Sequence, residues 1–286
     1  MNNSIKEILN KPLVVLDGAM GTMLLQSGIE IGKYPDALCI TNADIIEGIH
    51  KQYVDAGADI IYANTFGANR KKLAGSGYSC DDIIKAAIKI AKNAAYGTDT
   101  KVALSIGSIG ELLKPTGTLS FEEAYDIFKE MVTSGEEAGA DLVVFETMMD
   151  LNEVKAGVLA AKENTSLSVF ASMTFEKSGK TLMGCSVELM AKMLEEIGID
   201  AIGINCSLGP KAIFPLAKEL VECTTLPVFI KANAGLPDPL TGKYDVSDKE
   251  FALQMKEYTK IGVRIMGGCC GTSPEYIKAI ILSVAK

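Results

Sequence analysis

DLVVFETMMDLNEVKAGVLAAKENTSLSVFASMTF, residues 141–175, carries the pattern on which the fold turns. An apolar run (141–147) gives way to a segment with helical spacing of its apolar residues (151–164), and a second apolar run follows (169–175). Unbroken apolar runs suit strands buried on both faces, and two of them joined by a helix read as a parallel β-α-β unit. Working outward, runs at 13–17, 59–65, 102–107, 201–206, 227–233 and 263–269 bring the strands to eight. Helical patterns fall between and after them at 43–56, 81–96, 121–138, 187–197, 211–222, 248–261 and 274–285. Asn42, Ser120 and Ser247 stand at N-cap positions, and Pro274 in the first turn of the last helix. Eight β/α units without a Pro/Gly-rich linker predict one domain over 1–286, a (β/α)8 TIM barrel rather than an open doubly wound sheet.

Composition removes several function classes. A formal charge of −8 argues against a phosphate-tracking nucleic-acid binder and against an anionic membrane surface. No apolar run approaches the roughly 20 residues of a spanning helix, and the N-terminal stretch lacks a signal-peptide core. Seven cysteines, an odd number, fit a reducing compartment, so the expected location is the cytoplasm. The single histidine, His50, excludes sites built on two or more imidazoles, such as three-His zinc or HExxH.

Polar and glycine residues gather where the strands end: Asp17-Gly18-Ala19-Met20-Gly21, Asn64-Thr65-Phe66-Gly67, Glu146-Thr147, Asn205-Cys206, Asn233-Ala234-Gly235 and Gly267-Gly268-Cys269-Cys270-Gly271. A barrel brings all of these to its C-terminal rim, where active sites are built. Cys206 ends strand 6 and Cys269-Cys270 follows strand 8, with one strand between them. Spacing leaves two readings of the three thiols. They are small buried residues, or they are a soft Zn²⁺ site with one open position. Three thiolates would make zinc a poor Lewis acid but a good holder of a fourth thiol as its anion, which is chemistry for alkyl transfer to sulfur. Cys39, Cys80, Cys185 and Cys223 lie away from the strand ends and read as bystanders.

LDGAMGTML (16–24), ANTFGANR (63–70), FETMMD (145–150), GINCSLGP (203–210), KANAGLP (231–237) and MGGCCGTSPEYI (266–277) together resemble the homocysteine S-methyltransferase family. Within it, the chain is similar to the homocysteine-binding barrel of the cobalamin-dependent methionine synthases. The resemblance runs from about residue 10 to the C-terminus. It implies the same barrel, one Zn²⁺ on Cys206, Cys269 and Cys270, and homocysteine as methyl acceptor. It also implies that Asp17, the turn Gly18-Ala19-Met20 and Glu146 hold the amino-acid end. Physically, carboxylates suit an α-ammonium and the backbone N–H groups of a glycine turn suit a carboxylate. The plainer alternatives are turn initiation for Asp17 and a loop tether for Glu146. Asn233 ends strand 7, between the two cysteine loops, and is expected as an exchangeable fourth ligand; water there, with Asn233 only closing a turn, is the alternative.

Departures from the family narrow the donor. The corrinoid-ligating DxHxxG motif is missing, and His50 in IEGIHKQYV reads as a helix-face residue. A cobalamin cofactor is therefore expected only on a separate domain or partner protein. The absence of Trp disfavours betaine, whose users rely on an aromatic box that includes it. S-methylmethionine as a soluble donor, or a non-catalytic barrel binding a thiol or a corrinoid protein, are the competing functions. Ser178-Gly179-Lys180-Thr181 lacks the upstream glycine of a phosphate loop, since Thr174 stands there, and Met183, Met190 and Met193 read as helix core.

Overall fold

A computed structural model describes residues 3–284. Its eight strands are β1 Val14–Val15, β2 Ile60–Tyr62, β3 Lys101–Ile106, β4 Leu142–Met148, β5 Ser168–Met173, β6 Ala201–Asn205, β7 Val228–Ala232 and β8 Ile265–Gly268. All pair in parallel, in the order β1-β8-β7-β6-β5-β4-β3-β2. A bridge between Leu16 and Ile60 joins the two ends of that order, so the sheet closes on itself as a (β/α)8 TIM barrel. Each expected strand is present. β1 and β2 are shorter than expected because the chain leaves the ladder early to build the rim.

The expected helices correspond to α4 Ala43–Asp55, α5 Cys80–Ala94, α6 Phe121–Glu137, α7 Leu151–Asn164, α8 Val187–Glu196, α9 Pro210–Cys223, α10 Asp248–Glu257 and α11 Pro274–Val284. The expected end of the last helix, residue 285, lies outside the described residues. Ser120 and Ser247 cap α6 and α10 through the N–H groups of Glu123 and Glu250. Asn42 holds the N-cap position of α4, but its side chain caps nothing; its Oδ1 accepts from Thr41 instead. Three short helices go beyond the sequence expectation: α1 Asn3–Leu9, α2 Met20–Gln26 and α3 Leu38–Thr41. Met190 and Met193 pack into the core from α8, whereas Met183 precedes that helix.

Strand residues alternate between the helical shell and the bore. The bore is filled by Leu16, Ile60, Val144, Phe170, Phe229 and their neighbours, with the Phe170 and Phe229 rings 5.9 Å apart. Burying each such side chain contributes about 1.5–3 kcal/mol. Ile5, Ile8 and Leu9 of α1 join this cluster and stopper the N-terminal end of the bore. Two residues further along the strands, the same inward faces turn polar: Ser105 follows Ala103, Glu146 follows Val144, and Lys231 follows Phe229. Those side chains form the floor of the site.

Candidate metal and amino-acid site

The thiol loops are built around the end of β7. β6 stops at Asn205, and the backbone turns left-handed at Cys206 (φ 62°) and Ser207 (φ 56°) before Gly209 caps α9. Two consecutive non-glycine residues in that region cost about 1–2 kcal/mol each, so the turn needs outside support. Cys206 N–H donates to the Lys231 carbonyl (3.0 Å), and Asn233 N–H donates to the Leu208 carbonyl (3.0 Å). On the other side, Cys269 N–H donates to the Ala232 carbonyl (2.7 Å), and Ala234 N–H to the Cys270 carbonyl (2.9 Å). Residues 231–234 thus clamp both loops in register.

This clamp brings the Sγ atoms of Cys206, Cys269 and Cys270 within 4.8 Å of one another, with Cys206 and Cys270 3.8 Å apart. The contacts divide their acidities. Hydrogen bonds from Cys206, Cys269 and the Tyr244 hydroxyl favour an anion on Cys270 and hold it well below an ordinary thiol. Contacts with Cys206 and Cys270, together with burial, push Cys269 well up. Tyr244 reaches the cluster from the loop after β7, lying so close on Gly271 (φ +83°) that a Cβ there would fall 2.2 Å from the ring. Asn233 is buried, and its Oδ1 has no hydrogen-bond partner among the described residues. The other four cysteines stand outside the cluster. Cys39 donates to the Asn64 carbonyl (3.5 Å), and burial pushes both Cys39 and Cys80 up to about 12, as expected of inert thiols.

A cavity of about 860 Å³ opens beside the sulfurs. Asp17, Gly18, Ala19, Met20, Glu146, Cys206, Cys269 and Cys270 all border it, so the structure gathers every expected site residue around one cavity except Asn233. Gly18 has to be glycine, because a Cβ there would sit 2.8 Å from both Thr272 Oγ1 and the Tyr53 hydroxyl. Met20, expected in the turn, is the first residue of α2, and Ala19 is its N-cap. The Gly271 N–H donates to Thr22 Oγ1 (3.0 Å), tying this turn to the Cys269-Cys270 loop.

The carboxylates differ in how free they are. Glu146 Oε1 accepts from the Ser105 hydroxyl (2.5 Å), and burial raises its pKa against the opposing pull of Lys231. Next to it, Thr147 adopts φ 60° and is held by Asn205, whose Oδ1 accepts Thr147 N–H (2.8 Å) and Ser172 Oγ (2.8 Å). Asn205 Nδ2 donates to Thr147 Oγ1 (2.8 Å), so one amide fixes the end of β4 next to the first thiol loop. Asp17 is already engaged at both oxygens: Oδ1 takes the Lys231 ammonium at 2.6 Å and Oδ2 the Tyr62 N–H at 2.7 Å. Burial lowers the Lys231 pKa, but Asp17 and Glu146 more than offset it, and the ammonium stays charged. Lys231, Tyr62, Ser105 and Tyr244 were not singled out by the sequence, and Asn205 was named there only as a polar residue of the rim. For Lys231 a signal existed, a lone charge on the inward face of an apolar strand.

His50 sits on α4, fully buried, with neither ring nitrogen bonded among the described residues. Burial lowers its pKa to about 4. No described helix is long and apolar enough to cross a membrane.

A profile of the homocysteine S-methyltransferase family matches residues 14–284. The methionine synthases of Mycobacterium tuberculosis and Mycobacterium leprae are each 30% identical to the chain, over 99% and 100% of it. The chain spans about a quarter of their length, 26% and 25%. Among solved structures, the homocysteine methyltransferase MmuM from Escherichia coli superimposes with a TM-score of 0.86 in its oxidised form, at 23% identity over 98% of this chain and 99% of that one. Its metallated form gives 0.84, at 24% identity over 97% and 99%. At these identities the likeness is one of fold.

Proposed function

The chain belongs to the homocysteine S-methyltransferase family, and on that premise we propose that it binds homocysteine as a thiolate and accepts a methyl group on sulfur, forming methionine. The observation that carries this reading is the three-thiol cluster bordering a cavity that Glu146 and the Gly18-Ala19-Met20 turn also line.

A metal fits these residues. Tetrahedral sulfur ligands at about 2.3 Å from zinc lie about 3.8 Å apart, and Cys206 and Cys270 show that spacing at 3.8 Å. The orphaned Asn233 Oδ1, on the segment that ties the two thiol loops together, is the neutral oxygen that would serve as an exchangeable fourth donor. Cys206, Cys269 and Cys270 would hold one Zn²⁺, and when bound it keeps the substrate thiol ionised at neutral pH. The chain's own residues do the rest. Glu146, fixed by Ser105, receives the α-ammonium; Asp17 adds negative charge behind it. The backbone N–H groups after Gly18 face the α-carboxylate. Orientation of the sulfur toward the open rim then makes attack on an incoming methyl effectively unimolecular. The sulfur forms its bond to carbon as the donor–methyl bond breaks, and that bond pair leaves with the donor. The product is a neutral thioether, which no longer carries the charge that held the thiol.

We assign the donor to a methylcorrinoid carried on a separate domain or protein. The two methionine synthases extend well beyond the length matched here, leaving room for such a carrier in proteins of this kind. Two measurements test the reading. Cys206→Ser, Cys269→Ser and Cys270→Ser should each lose stoichiometric zinc by elemental analysis, while the same change at Cys39, Cys80, Cys185 or Cys223 should not. Wild-type protein offered homocysteine with a methylated corrinoid, S-methylmethionine or betaine should form methionine from the corrinoid. Full zinc in Cys206→Ser would sink the ligand assignment, and turnover with S-methylmethionine alone would replace the donor.

A further inference from the structure

One buried charge has no task in this scheme. Lys231 lies on the inward face of β7, 3% exposed, and borders the cavity. We infer that Lys231 determines specificity at the amino-acid end, its ammonium joining the N–H groups after Gly18 in receiving the substrate α-carboxylate while Glu146 receives the α-ammonium. This inference rests on the proposed function and deepens it.

An ammonium has three N–H donors and no acceptor. One of those on Lys231 is taken by Asp17 Oδ1 at 2.6 Å. The Tyr62 ring faces the ammonium, with its centroid 3.6 Å away, and engages a second through its negative π face. The third has no acceptor among the described residues, on a side chain that helps wall the cavity. The other nearby anion, Glu146, is bonded through Oε1 to Ser105. The Tyr62 hydroxyl is also buried without a partner among the described residues, so a second donor borders the same space.

Charge gives the same assignment. Asp17 and Glu146 contribute two negative charges to the floor and Lys231 one positive charge. Without the lysine, the carboxylate of an amino acid would meet the N–H groups after Gly18 above side chains that are only anionic, and a bare aminothiol would be favoured by charge. With it, each end of a zwitterion meets the opposite sign. The ammonium is also fixed in place beforehand: Asp17 is held by the Tyr62 N–H at 2.7 Å, so its position is set by the backbones of β1 and β2. Neutralising Asp17 alone would not require a lysine, since an asparagine at 17 would accept the same N–H, and replacing buried pairs by neutral groups is often harmless to stability.

The test compares zinc-loaded wild type with Lys231→Met by calorimetric titration with three thiols. These are homocysteine, 3-aminopropane-1-thiol, which lacks the carboxylate, and 4-sulfanylbutanoate, which lacks the ammonium. Wild type should bind homocysteine about ten- to a hundredfold more tightly than the aminothiol, the range of one charge-assisted hydrogen bond. In Lys231→Met that preference should collapse to within about threefold, with the aminothiol affinity nearly unchanged; Lys231→Arg should keep most of the preference. If Lys231→Met does not fold, Asp17→Asn with Lys231→Met removes the buried pair together and carries the same comparison. Equal weakening of all three thiols would make Lys231 a structural tether and overturn the inference while leaving the homocysteine reading intact. Wild type that binds no thiol would overturn both.

Discussion

His50→Leu should stabilise the protein, and by more as the pH falls. The imidazole is fully buried on α4, and neither nitrogen finds a partner among the described residues. Its pKa is depressed to about 4 by desolvation, against about 6.5 when free. A depressed basic group favours the folded state above the unfolded pKa, where the ring is neutral in both states. That stability is lost as the pH falls from about 6.5 toward 4, because the unfolded chain takes up the proton first. The full shift corresponds to about 3 kcal/mol, and at pH 5 about 2 kcal/mol of it has been lost. Leucine is apolar, of similar volume and does not titrate. The gap between variant and wild type should therefore widen by about 2 kcal/mol from pH 7.5 to pH 5. Urea unfolding of metal-free protein at the two pH values measures it, and metal release then plays no part. Glu153, raised to about 7 by burial, acts in the opposite direction over nearly the same window, but it is common to both proteins and cancels in the difference. Since the chain has one histidine, its proton resonance can be followed directly in the native state. A native titration midpoint near 6.5, or a gap that does not change with pH, would refute the reasoning.

Two further outcomes concern the site. Glu146→Gln should weaken homocysteine binding about ten- to a hundredfold with zinc content unchanged, because a charge-assisted bond to the α-ammonium becomes a neutral one; calorimetry with parallel elemental analysis checks this, and normal affinity would make Glu146 a loop tether. Asn233→Ala should alter the light-atom shell in zinc X-ray absorption of substrate-free protein and leave the three sulfurs in place. An unchanged light-atom distance together with unchanged homocysteine affinity would take Asn233 out of the ligand set.

The eight strands were legible because a strand covered on both faces must be apolar throughout, and 141–147 or 169–175 admits no other economical reading. α2 and α3 were not legible. Seven and four residues span too few turns for a period to show, and the residues that open α2 also form the glycine turn. The three thiols stood out because glycines bracket Cys269-Cys270 and because strands 6 and 8 are separated by one strand. The floor was harder to read. Asp17 was identifiable as a rim carboxylate, but its engagement by Lys231 depends on a contact between residues 214 positions apart, which no local pattern encodes. Asn205 was visible as a rim residue beside the more conspicuous Cys206, but the bonds by which its amide joins the end of β4 to the thiol loop were not. Tyr244 arrives from a loop whose path over Gly271 only the fold determines.

The packing of α1 into the bore has a consequence for anyone handling the protein. Ile5, Ile8 and Leu9 share one apolar cluster with the barrel interior, and Lys11 is anchored to Asp59 at 2.5 Å just beyond them. The first helix is thus a plug, and the barrel is a cup with a single mouth. Removing Ile5, Ile8 and Leu9 would uncover the bottom of the cup, a wet hole on the side opposite the chemistry. The same geometry makes this end useful: substitutions in the plug would tune how long the fold survives heat while leaving thiols, carboxylates and lysine at the far rim as they are.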